Sequence, residues 1–188
     1  MPPSFKFTKD EITKVALNLI RESGINSLTA RSLAQKLGTS PKPIFSLFSG
    51  MEEVKAEVIS MANEKYQDYL KAAMEKGEYP PYKASGMGYI RFAKEETELF
   101  KLLFMRNRQN EEITKSTEEI APIIEILQKN LNLSQQTAYL FHLEMWVYVH
   151  GIATMLATSY LEWDLDFISN SLTDIYEGLK RRHCNGIN

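Results

Sequence analysis

The 188-residue chain holds one cysteine, two tryptophans and three histidines, and each scarcity excludes a class of protein. A single thiol, Cys184, rules out an internal disulfide framework and fits a reducing cytoplasm. The histidines stand at 142, 150 and 183, and no His-Glu-x-x-His, Gly-x-Ser-x-Gly or glycine-rich phosphate loop accompanies them. His142 and His150 lack the i, i+4 spacing of a helical metal pair, so no catalytic residue, metal or cofactor is expected. No apolar run approaches the roughly 18 residues of a membrane span. The opening Met-Pro-Pro-Ser-Phe-Lys has no apolar stretch behind it to make a secretory signal. Alternating strand patterns, internal repeats and low-complexity segments are missing as well. What is present is 44% hydrophobic and 24% charged sequence, the balance of a soluble globular chain long enough to bury a core.

The net charge of −2 conceals a division. Residues 1–55 carry eight Lys and Arg against five Asp and Glu, whereas residues 56–188 carry fourteen against nineteen. Phosphate attraction acts within roughly 10 Å at moderate salt. The basic stretch can therefore serve an anionic partner while the acidic remainder repels it.

That stretch predicts three helices. The first runs from about Thr8 to Ser23, with Thr8 and Glu11 at capping-box spacing and Phe7 and Ile12 placed for a hydrophobic staple. Ile12, Val15, Ala16, Leu19 and Ile20 form its apolar stripe, and Gly24 ends it. Thr29 is a natural N-cap for the second, whose apolar face is Leu33, Ala34 and Leu37, and Gly38 stops it. Ser40 is expected to cap the third, with Pro41 at its first position, where a missing N–H costs nothing. The third helix should bury Ile44 and Phe48 and turn Lys42, Pro43 and Ser46 outward. Two short helices joined by a tight turn, the second with a small polar outer surface, make a helix-turn-helix shaped to enter a DNA major groove.

The remainder is helical too. Ser49 and Glu52, at capping-box spacing, open a long helix that continues to about Lys76, where Gly77, Pro80 and Pro81 break the chain. Its early apolar face is Val54, Val58, Met61 and Ala62. Further helices follow at about 82–94, 96–108 and 116–131, with Pro122 starting or kinking the last of these. From Ser134 to Thr158 the pattern is apolar on nearly all sides, as required of a helix that packs on its own core and on a partner chain. The final helix, about 164–182, carries Leu165, Ile168, Leu172, Ile175, Tyr176 and Leu179 on one stripe. The fold class is all-α, about nine helices, with a DNA-binding domain at 1–50 and a helical regulatory and dimerisation domain at 51–188.

The block Leu28-Thr29-x-Arg31-x-Leu33-Ala34-Gln35-Lys36-Leu37-Gly38, then Ser40-Pro41-x-x-Ile44-Phe45-x-x-Phe48, then Glu52-Glu53-Val54, resembles the N-terminal signature of the tetracycline-repressor (TetR) family. The similarity covers roughly the first 55 residues. Glu98-Leu99-Phe100-Lys101-Leu102-Leu103-Phe104 and Trp146-x-x-x-His150-Gly151 resemble the subset whose regulatory domain carries a Trp…His-Gly motif. The resemblance implies an all-helical homodimer with two recognition helices and a C-terminal ligand pocket that controls repression. It also exposes two departures. The family has Tyr where this chain has Phe45 and Lys where it has Met51, and both normally contact phosphate. Each lost hydrogen bond is worth about 1–3 kcal/mol. Lys42, Lys55 and Lys6 are the nearby replacements.

The expected division of labour follows. Thr29 and the start of the second helix position the DNA backbone, and Arg31 reaches either a phosphate or a guanine edge. Ser40, Lys42, Pro43, Phe45 and Ser46 form the recognition face, where Lys42 can donate to guanine O6 or N7 and Pro43 can touch a thymine methyl. Candidates for an apolar or aromatic effector are Met87, Phe100, Leu103, Phe104, Tyr139, Trp146 and His150; core packing is the competing reading for each. His150-Gly151 reads equally as a close-packing point at a dimer seam. The expected protein is a cytoplasmic, ligand-responsive repressor with no membrane contact. It would bind a pseudo-palindromic operator as a homodimer paired through its last two helices, and the long fourth helix would carry the inducing movement. The alternative is a helical protein-binding module of the same fold with weakened or lost DNA binding.

Overall fold

Residues 7–107 and 114–184 are described in this computed structural model, residues 114–119 by their backbone alone. Among them every regular element is helical: α1 (Lys9–Ser23), a 3-10 turn (Ile25–Ser27), α2 (Ala30–Lys36), α3 (Lys42–Leu47), α4 (Met51–Glu75), α5 (Pro81–Glu95), α6 (Thr97–Phe104), α7 (Thr114–Leu131), α8 (Gln135–Ala157) and α9 (Leu165–Cys184). Pro122 lies inside α7, so it does not start that helix.

Backbone contacts divide the chain into two compact units. The first comprises Met1–Asp68 and Glu95–Arg106, so it recruits α6 from a distant part of the sequence; the second comprises Tyr69–Lys94 and Asn107–Asn188. The continuous helix α4 contributes to both.

The first unit is built from caps and one apolar core. Thr8 accepts the Glu11 N–H while Glu11 accepts the Thr8 N–H, closing the expected capping box. Ile12, Ala16 and Ile20 are fully buried, together with Leu33, Ile44, Val54, Val58, Ala62, Leu99 and Phe100. Gly24 ends α1 at φ 75°, and a Cβ there would stand 2.8 Å from a carboxylate oxygen of Glu98. Only glycine meets both conditions. At α6 the Glu96 carboxyl is 5% exposed and takes two hydrogen bonds from Arg21 of α1, Nε to Oε2 and Nη2 to Oε1, each 2.6 Å. Lys65 of α4 lies 3.4 Å from the same group. One carboxylate thus ties three helices, and both fork donors of Arg21 are used.

The second unit relies on close apolar packing. Met87, Tyr89, Ile90 and Phe92 of α5 are buried, as are Phe141, Met145, Val149 and Ile152 of α8 and Ile168 and Leu172 of α9. Gly88 allows α5 to approach the end of α4, since a Cβ there would lie 3.1 Å from the Ala73 methyl and the Tyr69 carbonyl. Ser134 caps α8 through the Thr137 N–H, and Asp164 caps α9 through the Phe167 N–H.

Candidate nucleic-acid interface

The turn between α2 and α3 explains how this surface is held. Thr29 accepts the Ser32 N–H at 3.1 Å, and Ser32 Oγ in return accepts the Thr29 N–H at 3.0 Å. Serine here takes the place of the usual glutamate of a capping box. At the other end Gly38, at φ 65°, donates to the Gln35 carbonyl, and Thr39 donates to that of Ala34. These two bonds make a Schellman stop. α2 is therefore closed at both ends, by a side-chain cap at Thr29 and a backbone stop at Gly38 that leads into the turn.

α3 begins one residue later than its sequence suggests. Its first bonds run from the Ile44 and Phe45 N–H groups to the Pro41 carbonyl, so Pro41 is the cap and no side chain caps the helix. Ser40 is exposed and performs no capping role. The start of α4 shifts in the same way. Glu53, not Glu52, receives the Ser49 N–H at 2.6 Å and the Ser49 hydroxyl at 2.8 Å, while Glu52 pairs with Lys55. The Lys9 ammonium and these Ser49 donors hold the Glu53 carboxyl down to about 2.

Ile44 and Phe48 are buried as expected, and Lys42, Phe45 and Ser46 are exposed, with Pro43 half-buried. Phe45 is 48% exposed, so it lies on the outer face and is not a packing residue. The Ser46 hydroxyl donates back to the Lys42 carbonyl at 2.9 Å. Arg31 is exposed one position inside α2. Charge pairing separates these residues from the rest of the unit. Lys9, Lys14, Arg21, Lys36, Lys55, Lys65 and Lys101 are each in an ion pair. Among the described residues Arg31 and Lys42 are in none. Lys55, named as a replacement phosphate donor, is engaged by Glu52 at 2.7 Å; Lys6 lies outside the described residues.

The seven effector candidates separate between the two units. Phe100 and Leu103 are buried in the first, and the Phe104 ring stands 5.2 Å from that of Tyr66. Met87 is buried in the second, whereas Tyr139 and Trp146 are partly exposed on α8. The structure does bring Trp146 and His150 together: their rings stack at 4.8 Å and 10°. His150 Nδ1 is also 2.8 Å from the hydroxyl of Tyr89. A parallel pair joins Tyr82 to His142 Nδ1 at 3.2 Å. Burial lowers both histidines below their ordinary value and raises the Tyr82 hydroxyl. No motif marks Tyr82 and Tyr89, although each pair, tyrosines on α5 and histidines on α8, is spaced by about two helical turns. None marks Glu96 either. A polar cavity of about 270 Å³ opens beside Glu96, lined by Asn18, Arg21, Glu22 and residues 95–98, and none of the seven effector candidates lines it.

Among the described residues the chain is all-helical, with a helix-turn-helix in one compact unit and further helices in a second. The family model described as the tetracyclin repressor-like C-terminal domain matches residues 82–175, half of the chain. The chain belongs to that family. A TetR-like transcriptional regulator from Rhodococcus sp. RHA1 shares 16% identity, with 99% of each chain covered and a TM-score of 0.65. A protein of unknown function from the same organism shares 17% identity over 96% of this chain and 98% of its own, with a TM-score of 0.68. A TetR family protein from Vibrio parahaemolyticus shares 17% identity over 90% and 97%, with a TM-score of 0.60. These likenesses show the fold. None of the curated proteins matches significantly. No described helix is long and apolar enough to cross a membrane.

Proposed function

We propose that this chain is a ligand-responsive transcriptional repressor. It binds a pseudo-palindromic operator as a homodimer and is released by a small apolar or aromatic effector. The observation that carries the DNA reading is that Arg31 and Lys42 are in no ion pair among the described residues, on a helix-turn-helix whose first helix is closed at both ends. A cation already paired with a carboxylate must break that pair to meet a phosphate; these two need not. Lys42 reads a base edge, and Arg31 and the first turn of α2 meet the backbone.

Pairing of two copies through α8 and α9 is supported by the apolar side chains α8 leaves in water. Leu140, Leu143, Trp146 and Val147 are all exposed on it. Gly151 has nothing within 4 Å of where its Cβ would be, so a second helix could approach there. The effector reading rests on the Trp146–His150–Tyr89 chain, which puts aromatic surface next to a polar ring nitrogen. Induction follows if the effector favours one disposition of the DNA-binding heads.

The test is a gel shift on DNA upstream of the chain's own gene at two salt concentrations. A discrete shift that survives competitor DNA is expected. Lys42→Ala should weaken operator binding by about tenfold or more and random-DNA binding far less. Equal losses on both would reduce Lys42 to a phosphate contact. No shift at either salt would favour the protein-binding module, a reading supported by the missing hydroxyl at Phe45 and the missing charge at Met51.

A further inference from the structure

We infer that Phe45 reads sequence: its ring packs on the 5-methyl group of a thymine in the major groove. The inference rests on the DNA-binding reading and adds the base that is chosen. α3 turns Ile44 and Phe48 into the core, so residues 42, 45 and 46 share the opposite face. On that face the Lys42 ammonium is in no ion pair among the described residues. The Ser46 hydroxyl is already occupied by the Lys42 carbonyl and does not offer its proton outward. Phe45 is the one exposed aromatic ring in the described part of the first unit.

A phenyl ring has no donor for a phosphate oxygen, and its exposed area is unfavourable in water until something apolar covers it. Major-groove edges are polar except for one group, the methyl at C5 of thymine. The Lys42 ammonium on the same face, in no ion pair among the described residues, matches an anionic duplex better than an apolar protein groove. With serine's donor turned inward, the face holds one strong donor and one apolar plate. Such a face suits a step in which a guanine lies near a thymine.

Selection of a binding site from random duplexes, followed by replacement of each thymine with deoxyuridine, isolates the methyl group. In the wild-type protein one symmetric pair of positions should lose about fourfold in affinity per half-site, the worth of one buried methyl. Phe45→Ala should bind the thymine and uracil duplexes equally, and Phe45→Tyr, which keeps the ring, should retain the difference. A wild-type protein indifferent to uracil at every position overturns the proposal while leaving DNA binding intact. So does a methyl effect that persists in Phe45→Ala. Failure to enrich any sequence overturns the DNA-binding reading, and this proposal with it.

Discussion

The two compact units solve the problem of polar groups in different ways. The first uses charge: most of its cations face a carboxylate, and Glu96 holds two of them from inside the fold. The second pairs charges nearer its surface, with Arg182 and His183 on Glu144, and inside uses hydroxyls on imidazoles, Tyr82 on His142 and Tyr89 on His150. Their surfaces differ correspondingly. Among the described residues the first leaves Arg31 and Lys42 in no ion pair, while the second leaves apolar side chains in water along α8. A surface of free cations suits a partner that brings its own charge and stays hydrated; a surface of leucine, valine and tryptophan suits one that expels water. The contrast matches the proposed division between a nucleic-acid face and a protein face.

The largest expected effect sharpens the first half of that contrast. Glu96→Ala should cost about 3 kcal/mol in urea unfolding. Removing one member of a buried pair typically costs 3–5 kcal/mol, and the partial exposure of Arg21 and Lys65 places this case at the low end. A loss below about 1 kcal/mol would make the cluster an ordinary surface pair. Next comes Val147→Asp, at a position 65% exposed, which should leave the folded protomer intact and weaken self-association by about 2 kcal/mol. Sedimentation equilibrium measures it, and unchanged association would move the apolar face out of the dimer seam. Thr29→Ala should lower stability by about 1 kcal/mol through the lost cap, seen as a lower melting temperature.

The smallest effect is in pH. His142 and His150 have folded values held below 6.5 by burial, so the unfolded chain binds their protons first. Their neutral, hydrogen-bonded state is unpenalised above 6.5, and the second unit loses stability as pH falls through that value. Glu53 acts lower down: its contribution is intact above 4.5 and is lost as pH falls towards 2. Acid should therefore loosen the second unit before the first, a difference that separate fluorescence and circular-dichroism melts can resolve. Replacing both histidines with asparagine should remove the earlier step.

Local chemistry was legible in the sequence, and distant pairing was not. Thr8, Thr29 and Gly38 work as expected, because a cap or a left-handed stop depends on residues within one turn. The starts of α3 and α4 each came out one residue away, at Pro41 in place of Ser40 and at Glu53 in place of Glu52. Glu96 was invisible because its partner Arg21 is 75 positions away and neither residue interrupts an apolar stripe. The aromatic stripe of α8 marked burial without saying which side was buried. Tyr139 and Trp146 proved to lie at the surface, and Phe100 in the core of the other unit.

The place of α6 has a consequence for the order of events during synthesis. Arg21 leaves the ribosome long before the carboxylate that will hold it, and so does the core that Leu99 and Phe100 will complete. At roughly 5–20 residues per second, the N-terminal helices spend several seconds with one side open. A nascent chain stalled before residue 96 would display a helix-turn-helix finished in sequence and unfinished in structure.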